Sequence, residues 1–64
     1  MKIQYFRDTD TLYIEFQNLN IAESRDLDEN TVLDLDVEGN VCAITMEHAS
    51  TRTEIPPSFE NVAA

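Results

Sequence analysis

The strongest candidate for chemistry in this chain is a run of alternating carboxylates. Asp34, Asp36 and Glu38 are followed directly by Gly39. Oxygens at alternate positions with glycine sixth are how an EF-hand calcium loop begins. That loop also needs a bidentate glutamate at its twelfth position, which here is Thr45. It needs flanking helices too, and both flanks carry strand-type sequence. Alternating acids are also what the wet face of a strand presents, so no metal site is expected.

Other candidates are thinner. Cys42 and His48 are the only thiol and the only imidazole, too few for a tetrahedral zinc site within one chain. As a nucleophile pair they lack an orienting third group, and they share a face only if a strand runs past Met46. Asp8 and Asp10 are close enough to be paired carboxylates, but they sit in a polar Arg7–Asp10 turn where aspartate is at home. A lone Gly39 makes no phosphate loop, and there is no serine-nucleophile motif. No catalytic, cofactor-binding or metal residue is expected, and the chain is not expected to be an enzyme.

Charge narrows the partners. Thirteen acids against four bases give a formal net charge of −9, and seven of the acids lie between Glu23 and Glu38 with only Arg25 among them. Nucleic-acid phosphate and anionic membrane both call for a basic surface. The acidic face suits a soluble, self-repelling surface or a basic protein partner. The longest wholly apolar run, Val41 to Ile44, is far short of a membrane span. The opening Met-Lys-Ile-Gln-Tyr-Phe has no signal-peptide core. With one cysteine, a cytoplasmic location is expected.

These residues have to be placed by strands. Lys2 to Phe6 and Thr11 to Gln17 alternate apolar and polar residues, the second strictly, with Leu12, Ile14 and Phe16 on one side. Asn18-Leu19-Asn20 is predicted to be a turn. Ile21 to Leu27 alternates poorly, since Ile21 and Leu27 share a side with Glu23 and Arg25, and it predicts an irregular edge strand. Asp28-Glu29-Asn30 is a further turn. Thr31 to Met46 is then a hairpin about Gly39, with Leu33, Leu35 and Val37 on one face and Val32, Asp34, Asp36 and Glu38 on the other.

The hairpin's register follows from what is brought together. A two-residue Glu38-Gly39 turn places Val37 opposite Asn40, Leu35 opposite Cys42, Leu33 opposite Ile44 and Thr31 opposite Met46. A three-residue loop with Gly39 as a left-handed bulge places Leu35 opposite Val41 and Leu33 opposite Ala43, stranding Ile44 and Met46 on the acidic face. A one-residue slip exchanges faces, so the first register is expected. Cys42 then belongs to the core.

After Met46, Glu47 to Glu54 is polar without a clear period. Pro57 can open a helical turn through Asn61, with Phe59 and Val62 on one side and Ile55 as a staple. The expected architecture is mainly β: a small antiparallel meander or sheet of four to five strands over residues 1–50, with a short helical or irregular appendage over 51–64. So short a chain buries only about 60% of its unfolded surface. One apolar sheet face is left without cover, which predicts a homodimer or higher oligomer.

Met1-Lys-Ile-Gln-Tyr5, Asp10-Thr-Leu-Tyr-Ile14, Asp34-Leu-Asp-Val-Glu-Gly-Asn-Val41 and Ile44-Thr-Met-Glu-His-Ala-Ser50 follow one another at a familiar spacing. Together they resemble the small bacterial domain-of-unknown-function family number 2283, over roughly Met1 to Ser50. The chain departs from that pattern at Arg7, where the family often has Asp and Pro after an aromatic residue, and at Ala43, where it often has Gly. The resemblance carries over no site residues. It implies a bacterial cytoplasmic protein and a candidate antitoxin, because such genes often lie beside small genes suspected to encode toxins.

The functional expectation is a protein-interaction module for a basic partner, as the antitoxin of a toxin–antitoxin pair. Asp34, Asp36 and Glu38 on a rigid strand would meet the partner's cationic site, with Ile55 and Phe59 packed beside them. The alternative is a homo-oligomeric structural or metal- or ligand-binding domain without a toxin partner.

Overall fold

The computed structural model describes residues 1–17 and 20–55. Five antiparallel strands form one sheet: β1 (Lys2–Phe6), β2 (Thr11–Glu15), β3 (Glu23–Asp28), β4 (Thr31–Leu35) and β5 (Val41–Met46), followed by a 3-10 turn at Ala49–Thr51. The expected mainly β antiparallel sheet is what forms. The predicted turn residues Asn18 and Leu19, and the helical turn from Pro57 carrying Phe59 and Val62, lie outside the described residues.

Strand order departs from chain order at one place. The sheet runs β1-β2-β5-β4-β3, so the last strand stands in the middle. The β1–β2 hairpin and the β3–β4–β5 meander share one ladder, where β2 pairs with β5, with Ile14 opposite Ile44 and Leu12 opposite Met46. Both described ends of the β2–β3 link lie at the end of the sheet occupied by the β4–β5 loop. There the Phe16 N–H donates to the Cys42 carbonyl at 2.7 Å and the Ala22 N–H to the Leu35 carbonyl at 2.8 Å.

Leu33 faces Ile44 and Thr31 faces Met46, as the period-two pattern requires. The turn that produces this register is not the two-residue one, and Leu35 is not opposite Cys42. Asp36 and Asn40 instead close a three-residue loop, Val37-Glu38-Gly39. The Gly39 N–H donates back to the Asp36 carbonyl at 3.0 Å, and Gly39 sits at φ 87°, the left-handed region glycine enters without a Cβ clash. Leu35 therefore faces Val41. A second irregularity corrects the slip: between the Leu35–Val41 and Asp34–Ala43 pairs, Cys42 is an extra residue on β5. A bulge sets two residues against one on the partner strand, so Leu33 and Ile44 meet again. Cys42 is still fully buried. Val37 was expected on the apolar face; it lies at the loop tip and is 87% exposed.

β3 is the irregular edge strand its sequence predicts. Its register shifts between Asp26 and Asp28, making Leu27 the extra residue, and all six residues are exposed. The poor alternation there has a cause. Arg25 and Glu23 pair with Leu33 and Leu35 at a margin where both stay exposed.

One face of the sheet carries Ile3, Ile14, Ile44 and Leu33 in a row across four strands, with Tyr5, Leu12, Met46 and Thr31 in the row beside it. Among the described residues only Leu12, Leu35, Cys42, Ala43 and Ala49 are buried apolar groups. The Thr31 hydroxyl, also buried, stands beside the Asp28 carboxylate but makes no aligned hydrogen bond with any described residue.

Candidate interaction surface

The three carboxylates picked out by spacing are not three equivalent groups on one strand. β4 ends at Leu35, so only Asp34 is a strand residue. Asp36 serves the loop. Its Oδ1 accepts the N–H groups of Glu38 at 2.9 Å and Asn40 at 2.8 Å, and its Oδ2 accepts the Asn40 side-chain amide at 3.2 Å. The Asn40 N–H is the main reason the Asp36 carboxyl is held below its ordinary range. Its lone pairs are turned inward to backbone donors, which is the opposite of a calcium ligand's orientation. Glu38 is exposed at the loop. Among the described residues no three His, Cys, Asp or Glu side chains converge on a metal position.

Ile55 is half-buried. Arg52, three residues earlier, donates to the Asn30 carbonyl at 3.1 Å and stands 3.8 Å from the Asp28 carboxylate. That fixes the segment at the β3–β4 turn. The Asp36 loop is six residues along the chain from Asn30, roughly 20 Å at strand rise. Phe59 lies outside the described residues.

Asp10 is committed elsewhere. Its Oδ1 accepts the Tyr5 hydroxyl and the Ser50 N–H, its Oδ2 accepts the Ser50 hydroxyl at 2.7 Å, and its carbonyl accepts the Ala49 N–H at 2.9 Å. The Tyr5 hydroxyl, followed by Ser50, draws this carboxyl below its usual range. Asp10 and His48 both hold positive φ, 51° and 54°. The Asp10 corner is thus a clamp joining β1, the β1–β2 turn and the 3-10 turn. Asp8 instead lines a shallow hollow with Tyr5, Phe6, Arg7 and Thr9, so the two aspartates do not form an acid–base pair. Cys42 and His48 are separated by the length of β5, roughly 20 Å. Burial pushes the Cys42 thiol up, away from the thiolate a nucleophile needs.

The surface that does gather charge is the polar face, and it draws on β2. Cross-strand pairing sets Glu15, Ala43 and Asp34 side by side over β2, β5 and β4, with Tyr13, Thr45 and Val32 in the adjacent row. β5 contributes only Ala43 and Thr45 here, and the side chains on either side close over Ala43, which is buried. The Cα atoms of Glu15 and Asp34 stand about 10 Å apart across it, two strand spacings. Both carboxylates are held: Tyr13 donates to Glu15 Oε2 at 3.2 Å, and Ser24 donates to Asp34 Oδ1 at 2.7 Å. Burial pushes the Tyr13 phenol up, followed by its bond to Glu15, and the Asp34 charge adds to the effect. The hydroxyl therefore feels both acids. Asp26 closes the outer end of the adjacent row, opposite Val32.

Sequence reading missed Glu15 and Tyr13. Their alternation with Leu12 and Ile14 did assign them to the wet face. What it could not supply was β5 between β2 and β4, which brings Glu15 to the same trough as Asp34.

A family described as "Protein of unknown function (DUF2283)" matches residues 2–50. No curated protein and no solved structure matches the chain.

Proposed function

Since the chain belongs to the DUF2283 family over residues 2–50, a match that includes Glu15, Ala43 and Asp34, we propose that it is a non-enzymatic protein-interaction module that receives a basic protein on its polar face. The observation that supports this reading most is the pair of fixed carboxylates, Glu15 and Asp34, on either side of Ala43. A lysine or arginine side chain from a partner fits between them. Its stem would lie beside Tyr13 and Thr45, above the buried Ala43, and its cationic head would bond to carboxylates already oriented by Tyr13 and Ser24. Glu38 and the β3 acid Asp26 extend the negative field around this trough and steer a cationic partner toward it.

The partner class that fits is a ribonuclease-like toxin. Such a protein has a positive substrate site because it holds RNA phosphates, and occupying that site makes this chain the antitoxin. The role first given to Asp36 passes to Glu15, because Asp36 is spent on its own loop.

The test is co-expression with the product of the adjacent gene, followed by co-purification at low and high salt. The parent chain is expected to hold the neighbour at low salt and to lose it as salt rises. Combining Glu15→Gln and Asp34→Asn should leave the fold intact, slow association about tenfold at low salt and flatten the salt dependence. A neighbour that is harmless when expressed alone, and that forms no complex, refutes the antitoxin reading.

A further inference from the structure

The opposite face calls for a different occupant. Its middle row, Ile3, Ile14, Ile44 and Leu33, crosses four adjacent strands without a charged side chain, and all four residues remain only half-buried. Phe16, continuing the alternation of β2 on the same side, is 42% exposed. The described residues measure 34 × 31 × 17 Å, the thickness of a sheet with little over it among them, whereas a stable sheet needs a second layer against its apolar side.

We infer that a second copy of this chain packs on that face, apolar row against apolar row about a two-fold axis. The described residues span 34 × 31 Å across the sheet, an outline of about 1,000 Å² within which a standard interface's roughly 800 Å² from each partner can be seated. Charge selects the occupant. The charged residues that pairing places on this side, Glu23, Arg25 and Asp28, all stand on the edge strand β3, and Arg25 pairs with Glu23 at 3.1 Å. The centre of the face holds no anion for a basic protein to recognise. Two copies of a −9 chain meet there with the least like-charge repulsion, their other acids lying on the far face, the loops and the edge. The nine residues after Ile55 supply two large apolar side chains, Phe59 and Val62, which is small cover for such an area. The resulting dimer would present its two Glu15–Asp34 troughs outward, on opposite sides.

Sedimentation of the full chain and cysteine cross-linking test this together. The parent is expected to sediment at twice its 7.3 kDa chain mass, with a melting temperature that rises with concentration. Ile44→Cys and Thr45→Cys place a thiol on the central strand, on the apolar and polar faces respectively, while Cys42 stays buried. A short bis-maleimide should join two Ile44→Cys chains and leave Thr45→Cys chains unjoined. Should Ile44→Cys fail to fold, Ile14→Cys, one strand away in the same row, takes its place.

A parent that is monomeric at all concentrations overturns the inference. So does a dimer that cross-links through Thr45→Cys or through neither position, since it would use the polar face or a sheet edge. A chain ending at Ile55 that dimerises where the full chain does not overturns it as well, because the chain's own last residues would then be the cover. Glu15→Gln with Asp34→Asn leaves this dimer intact, so the outcome stands apart from that of partner binding.

Discussion

Two aspartates hold opposite ends of the sheet, and they do so at very different range. Asp36 bonds to groups two and four residues ahead of it, so its loop is closed by local chain alone. Asp10 reaches Tyr5 five residues back and Ser50 forty residues on, fastening the chain after β5 to the first hairpin. Both carboxyls are drawn below their ordinary range by hydrogen bonds to the charged form. The same residue type, with the same direction of shift, makes a turn in one place and a tertiary clamp in the other. Only the partners' sequence separation distinguishes them.

The largest effects should come from the buried leucines at the two ends. Leu12 is 3% exposed, near the Asp10 clamp, and Leu35 is 5% exposed, at the Asp36 loop. Leu12→Ala and Leu35→Ala should each cost about 2–4 kcal/mol, enough to unfold most of so small a domain. Urea titration followed by far-ultraviolet circular dichroism measures this. A Leu12→Ala chain as stable as the parent would mean that the clamped end has no core beneath it.

Next come the aspartates themselves. Asp10→Ala should speed amide exchange at Ala49 and along the 3-10 turn, distant in sequence, while Asp36→Ala should speed it only at Glu38, Gly39 and Asn40. Exchange that spreads equally in both variants would erase the distinction. Acid sharpens it. With native pKa values below the unfolded value of about 3.9, both carboxylates supply stability that is complete above that pH. It is lost as pH falls through their native values. Asp10→Asn and Asp36→Asn should therefore be less stable than the parent at neutral pH, with the deficit shrinking toward acid. A deficit that is unchanged down to the acid transition would show that ionisation has no part in either role.

Gly39→Ala is the smallest change. Nothing lies within 4 Å of the position an added Cβ would take, but φ is +87°, so the cost is backbone strain alone. That should be about 1 kcal/mol, read as a lower urea midpoint with an unchanged slope. No loss would mean that the loop has relaxed away from the left-handed conformation.

What the sequence made legible follows the same division between local and distant. Period-two alternation gave four strands and the Leu33–Ile44 pairing, and its failure over Ile21–Leu27 marked the irregular edge that forms at Glu23–Asp28. The loop at Gly39 misled because two irregularities cancel. A glycine bulge shifts the register by one and the extra Cys42 shifts it back, so an argument from facing residues reached the right pairs through the wrong turn. Glu15 could not be joined to Asp34, nor Asp10 to Ser50, because each depends on β5 lying beside β2. No local pattern encodes that adjacency. Alternation assigns a residue to a face, and it says nothing of which strand lies next to it.

The placement of β5 also bears on how the chain is made. The strands of the β1–β2 and β3–β4 hairpins all precede Val41 in the chain, but every ladder joining those halves runs through β5. Two-stranded hairpins are marginal alone in water. The nascent chain therefore has no stable stopping point, and a fragment ending at Asn40 is expected to remain unfolded. Folding waits for the central strand and then completes in one cooperative step, in which Asp10 and Ser50 meet.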